Sequence, residues 1–121
     1  MIVEKHISIE GNHKLSGEIN VKGAKNAVLK EMILPILAEG KYLLKNVPLI
    51  DDVEYMQDVL KVLGINSNFK NDSWEIVSPS TIGVEAPYEL VQKMRASISI
   101  LGPLLARCGE ARIAFPGGDQ L

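Results

Sequence analysis

The stretch from Asp51 to Val77 leaves this chain few ways to fold. Val53, Met56, Val59, Leu60 and Leu63 recur at helical spacing and share one face. Asp51 and Glu54 have the spacing of a capping box, and Gly64 suits the left-handed residue that ends a helix. Residues 66–70 and 73–77 then flank Asn71-Asp72, the pattern of a tight hairpin with Phe69, Trp74 and Ile76 available for packing. A one-faced helix running straight into a hairpin predicts helices and strands packed in one fold.

The flanking segments extend that pattern. Residues 6–9 and 18–21 alternate polar and apolar side chains, with turn chemistry at Gly11-Asn12, and predict an N-terminal hairpin. From Ala24 to Ala38 the period becomes helical; a buried helix opens directly after Gly23, and Pro35 should bend it. Residues 42–47 read as a strand closed by Pro48. A third helix is predicted from near Pro87, carrying Leu90, Val91, Met94, Ile98 and Leu101, with an interruption at Gly102-Pro103. Residues 110–115 form a last strand, and Pro116-Gly117-Gly118 a turn or loop. The element order is that of a mixed α/β or α+β protein.

Composition removes several functional classes. In a chain of 121 residues, 46% apolar, one modest core is the expectation. A formal charge of -2 gives no broad basic field, so neither nucleic acid nor an anionic membrane surface is an expected partner. Cys108 is the only cysteine, which excludes an intramolecular disulfide and a cysteine-based metal cluster and suits a reducing cytoplasm. The first ten residues lack the pattern of a secretion signal, and Lys30, Glu31 and Glu39 bracket the most apolar stretch well short of a bilayer span. A soluble, cytoplasmic protein is expected.

Three places carry candidate chemistry. Gly23-Ala24-Lys25-Asn26 lies between a strand and a helix, where backbone N–H groups and the Lys25 charge can meet a phosphate or carboxylate; a solvated first-turn lysine is the ordinary alternative. Arg95, within Lys93-Met94-Arg95-Ala96-Ser97, is a second cation, and taken alone it is better explained as a side chain snorkelling past an apolar face. Pro116-Gly117-Gly118-Asp119 displays a carboxyl group on a glycine-rich loop, or is simply a turn. Cys108, His6 and His13 have no companions that suggest catalysis; Cys108 reads as a small core residue.

Taken together, Gly23-Ala24-Lys25-Asn26, Met94-Arg95-Ala96-Ser97 with Leu101-Gly102-Pro103, and Pro116-Gly117-Gly118 resemble, in order and approximate spacing, the UDP-N-acetylglucosamine carboxyvinyltransferase family of enolpyruvyl transferases. The shikimate-pathway enolpyruvyl transferase has a different signature around its first lysine and fits less well. The resemblance implies a two-domain, inside-out α/β barrel of repeated strand–helix units. Residues 1–23 would pack with a second domain, and residues 24–121 would form an incomplete first domain ending at the catalytic loop.

It further implies transfer of the enolpyruvyl group of phosphoenolpyruvate to the 3′-hydroxyl of UDP-N-acetylglucosamine, an early step of peptidoglycan and cell-wall synthesis, with release of phosphate. No metal or other cofactor is implied. Lys25 would contact phosphoenolpyruvate, Asn26 would position the substrates and Arg95 would contact the nucleotide sugar. Asp119 would be the proton donor, at a position where the family commonly has cysteine; because fosfomycin alkylates that cysteine, the aspartate implies fosfomycin resistance. The remaining site residues are expected beyond Leu121, so a 121-residue fragment is expected to be inactive and open to self-association. A stand-alone, non-catalytic α/β anion-binding module is the alternative.

Overall fold

The computed structural model describes residues 5–93 and 98–113 in full and residues 95–97 by their backbone. Helix α1 (Lys25–Glu31) and the short α2 (Leu34–Leu37) lead into strand β1 (Gly40–Leu44). Helix α3 (Asp51–Val62) is followed by strands β2 (Asn66–Lys70) and β3 (Ser73–Ser78). Strand β4 (Glu85–Ala86), helix α4 (Tyr88–Val91), a 3-10 helix (Arg95–Ile100), helix α5 (Leu101–Cys108) and strand β5 (Arg112–Ile113) complete the order. The result is the mixed helix and sheet that the sequence predicts.

Strand β3 is the centre of an antiparallel sheet of order β1-β3-β2. Leu44 and Phe69 lie opposite Trp74, and Tyr42 and Ser67 lie opposite Ile76, so one face of the sheet collects the large side chains. Val53, Met56, Val59 and Leu60 of α3 with Leu63 just after it, Met32 between the first two helices and Ile36 of α2, Ile100 at the end of the 3-10 helix and Leu104 of α5 are buried with Trp74 and Ile76 in one core. Strands β4 and β5 pair in parallel, with Arg112 donating its amide to the Val84 carbonyl at 2.7 Å. Their connection runs through α4 and α5, as a parallel pair requires.

Local chemistry accounts for the boundaries. The expected 24–38 helix breaks at Met32-Ile33 because Pro35 has no N–H to give Glu31 and its ring would strike that carbonyl; Pro35 instead occupies the first turn of α2. Helix α3 ends as anticipated: Gly64 is left-handed (φ 89°), its amide reaches Lys61 O at 3.0 Å, and the Ile65 amide reaches Leu60 O at 2.9 Å. That is the paired bonding of a Schellman cap, with Leu60 and Ile65 both buried. Asn71 and Asp72 both have positive φ, 48° and 63°, which gives the hairpin its twist-compatible turn.

Four expectations are corrected. Helix α3 starts after Ile50 with no side-chain cap, so Asp51 is its first residue rather than its cap; Asp51, Asp52 and Glu54 favour the first turn through charge. Gly102-Pro103 do not interrupt α5 but lie in its first turn, where a missing N–H leaves no intrahelical bond unmade; the irregularity falls earlier, in the 3-10 helix. Strand β1 covers residues 40–44 rather than 42–47. Residues 5–22 contain no strand or helix, so the N-terminal hairpin is not formed; Ile7, Ile9, Leu15, Ile19 and Val21 are all more than four-fifths exposed and meet no apolar face.

Candidate functional site

The position of Lys25 is set by the residues before it. Gly23 donates its amide to the Asn46 carbonyl at 3.1 Å, and a Cβ on Gly23 would lie 2.5 Å from that oxygen. Glycine is therefore required by close approach of two backbones. Asn46 is itself left-handed (φ 56°), a conformation asparagine tolerates, and its Nδ2 donates to the Val21 carbonyl at 3.4 Å. Lys22 pairs with Asp72 at 2.5 Å, and the Val47 amide donates to Asp72 O at 3.0 Å. Residues 21–23 are thus fastened to the loop after β1 and to the hairpin turn, which fixes where α1 begins.

Lys25 is the first residue of α1, preceded by Ala24 without a side-chain cap. The amides of this turn have no carbonyl within the helix to reach. The Lys25 ammonium forms an ion pair with Asp52 Oδ2 from the first turn of α3; the two side chains are 58% and 25% exposed. Lys25, Leu49, Ile50, Asp51 and Asp52 line an open concavity of about 430 Å³.

Asn26, the next residue, lines a second concavity of about 350 Å³ together with Leu29, Lys30 and Ser99. Ser99 belongs to the 3-10 helix that Arg95 opens, so the fold brings the start of α1 up to the element carrying the second candidate cation. Lys93, just before that element, lies 5.6 Å from the ring centroid of Tyr55 on α3 and adds a cation–π contact between them. The Arg95 side chain and Asp119, with Pro116-Gly117-Gly118, lie outside the described residues.

Two residues with structural consequence were not found by sequence reasoning. Asp52 carries no motif of its own in the sequence; only the fold shows that it reaches Lys25. Arg107 donates to Pro35 O (3.3 Å), Ile36 O (3.2 Å), Ser78 Oγ (2.9 Å) and Ser80 O (3.3 Å), and also to Pro79 O. It ties α5 to the end of α2 and to the buried hydroxyl that closes β3. No local pattern marks such a residue, because its acceptors, four backbone carbonyls and one hydroxyl, are distant in sequence. Cys108 is half-buried at the edge of the core, and His6 and His13 are exposed. Among the described residues no helix is long and apolar enough to cross a membrane.

Known proteins agree on the relationship. Over 111 residues the chain is 50% identical to the UDP-N-acetylglucosamine 1-carboxyvinyltransferase of Cellvibrio japonicus (strain Ueda107), covering 91% of this chain and 26% of that protein. It is 43% identical over 113 residues to the protein of the same name from Thermotoga maritima (strain ATCC 43589 / DSM 3109 / JCM 10099 / NBRC 100826 / MSB8), covering 93% of this chain and 27% of that one. The chain therefore spans about a quarter of the length of the curated relatives it matches.

In three dimensions it superposes on the enolpyruvyl transferase NikO from Streptomyces tendae with a TM-score of 0.71 at 20% identity, over 82% of this chain and 23% of the other, and so shares its fold. Residues 9–121 match the family described as EPSP synthase (3-phosphoshikimate 1-carboxyvinyltransferase). With that match spanning nearly its whole length, the chain belongs to the EPSP synthase (3-phosphoshikimate 1-carboxyvinyltransferase) family of enolpyruvyl transferases.

Proposed function

We propose that this chain is part of an enzyme that transfers the enolpyruvyl group of phosphoenolpyruvate to the 3′-hydroxyl of UDP-N-acetylglucosamine, releasing phosphate, in peptidoglycan synthesis. The observation that carries the reading is that Lys25 and Asn26, set by the Gly23–Asn46 contact, each line a concavity at the start of α1. The names of the curated relatives support the choice of acceptor.

In this proposal Lys25 binds the phosphate or carboxylate of phosphoenolpyruvate, Asn26 orients the substrates, and Arg95 contacts the nucleotide sugar. Addition to the enol double bond needs a proton at the methylene carbon while cations hold the anionic groups, and Asp119 supplies that proton. A carboxyl group in that role must retain its proton beside anionic substrates, which like charge and desolvation favour. Because a carboxyl group is a weaker nucleophile than a thiolate, the enzyme resists epoxide alkylation by fosfomycin. A reducing cytoplasm suits the lone cysteine, and the products serve cell-wall growth and division.

Residues 1–23 form, in this proposal, a segment that packs against a second domain, while residues 24–121 belong to the first. The exposed apolar side chains of residues 5–22 support it, and in a 121-residue polypeptide the same side chains favour self-association. That polypeptide alone is expected to release no phosphate.

The test is phosphate release by the full-length protein, dependent on both substrates and lost with shikimate 3-phosphate in place of the nucleotide sugar. Lys25→Ala should lower kcat/KM by roughly a hundred-fold or more. Normal turnover by Asp119→Asn would remove that residue from the mechanism, and turnover independent of UDP-N-acetylglucosamine would sink the reading.

A further inference from the structure

We propose that Asp52 is a positioning residue for Lys25, holding the ammonium on the wall of the concavity between α1 and α3, where it meets an anionic substrate while still paired with Asp52. This rests on the assignment of Lys25 to substrate binding above.

The two partners of the ion pair are unequally anchored. Asp52 is 25% exposed and sits in the first turn of α3, where the helix end favours a carboxylate; Lys25 is 58% exposed on a flexible stem. The carboxylate is the fixed point and the ammonium the moving one. The Lys22–Asp72 pair has a similarly exposed lysine but a differently placed carboxylate. Its side chains are 54% and 50% exposed, and Asp72 lies at a hairpin tip. Lys25–Asp52 instead lines a concavity whose other walls are Leu49, Ile50 and Asp51.

Two carboxylates on that wall disfavour an anion that arrives without the lysine, so the ammonium must stay between Asp52 and the guest. Asp52 thereby restricts Lys25 to one side of the opening, and its negative charge weakens anion binding in the ground state. Removing the charge while keeping the shape should leave the anion bound at least as well but the lysine less well placed.

The experiment compares wild type, Asp52→Asn and Asp52→Glu in the full-length protein. Asp52→Asn is expected to lower kcat on the order of ten-fold, as loss of positioning does, with the KM for phosphoenolpyruvate unchanged or lower; Asp52→Glu should recover most of the rate. A raised KM with unchanged kcat, or no change in either, overturns the proposal. A second readout is the rate at which acetyl-N-hydroxysuccinimide acylates Lys25, followed by mass spectrometry without substrates. Release of an exposed ion pair should speed it about two- to five-fold in Asp52→Asn, and equal rates overturn the proposal. A wild-type protein that turns over neither substrate refutes the functional assignment instead, and the acylation rates still decide whether Asp52 holds Lys25.

Discussion

Gly23 and Asn46 touch backbone to backbone: the Gly23 amide reaches the Asn46 carbonyl at 3.1 Å, in a space where a methyl group would stand 2.5 Å from the same oxygen. Alanine at position 23 cannot be accepted by a rotamer change, since the obstacle is main chain. Gly23→Ala is expected to cost about 1–3 kcal/mol in urea unfolding and to raise the KM for phosphoenolpyruvate in the full-length protein by moving Lys25. A variant with wild-type stability and KM would show that the contact is dispensable.

Gly64 tests a different property of glycine. A Cβ there meets nothing within 4 Å, but the φ of 89° is left-handed. Gly64→Ala should therefore destabilise by about 1–2 kcal/mol through backbone conformation alone. Gly64→Asn should lose less, because asparagine visits that region more readily. Equal losses for the two variants, measured by urea denaturation, would point to a cause other than φ.

Arg107 holds three segments through neutral acceptors only, so its removal orphans the buried Ser78 hydroxyl and nearby carbonyls. Arg107→Met keeps much of the stem packing and is predicted to lose at least about 2 kcal/mol. Arg107→Lys should recover only part of this, as an ammonium cannot span the planar fan of acceptors. The comparison is made by chemical denaturation monitored through Trp74 fluorescence, Trp74 being fully buried.

Asp119→Cys in the full-length enzyme should introduce covalent labelling by fosfomycin, visible as a one-to-one mass increase, while the wild type stays unlabelled. A thiolate attacks the epoxide far more readily than a carboxylate does. Stoichiometric labelling of the wild type at Asp119 would contradict the prediction.

Elements written in local chemistry were legible in the sequence. Helix α3, its Gly64 terminus and the Asn71-Asp72 hairpin depend on residues within a few positions of one another, and each forms. The break before Pro35 was legible in kind, though it falls a turn earlier. The N-terminal alternation forms no strand in residues 5–22, because alternation specifies a strand only when a neighbour offers hydrogen bonds and an apolar face. Lys25 and Asn26 stood out through their motif, whereas Asp52 did not, since the Lys25 pairing is created by the packing of α1 on α3. Arg107 was invisible for the same reason.

The central place of β3 also has a kinetic consequence. Its pairing with β2 closes over a two-residue turn, an event of about 1–10 μs in hairpins generally. Its pairing with β1 joins residues far apart along the chain, such as Leu44 opposite Trp74, and must await a much larger loop closure. Strand β1 is the element that delivers Asn46 to Gly23 and leads on to Asp52. The setting of Lys25 is therefore predicted to be completed after the β2–β3 hairpin, and mutations that weaken the β1–β3 register should slow folding less than mutations in that hairpin, a difference that φ-values measured by stopped-flow refolding would check.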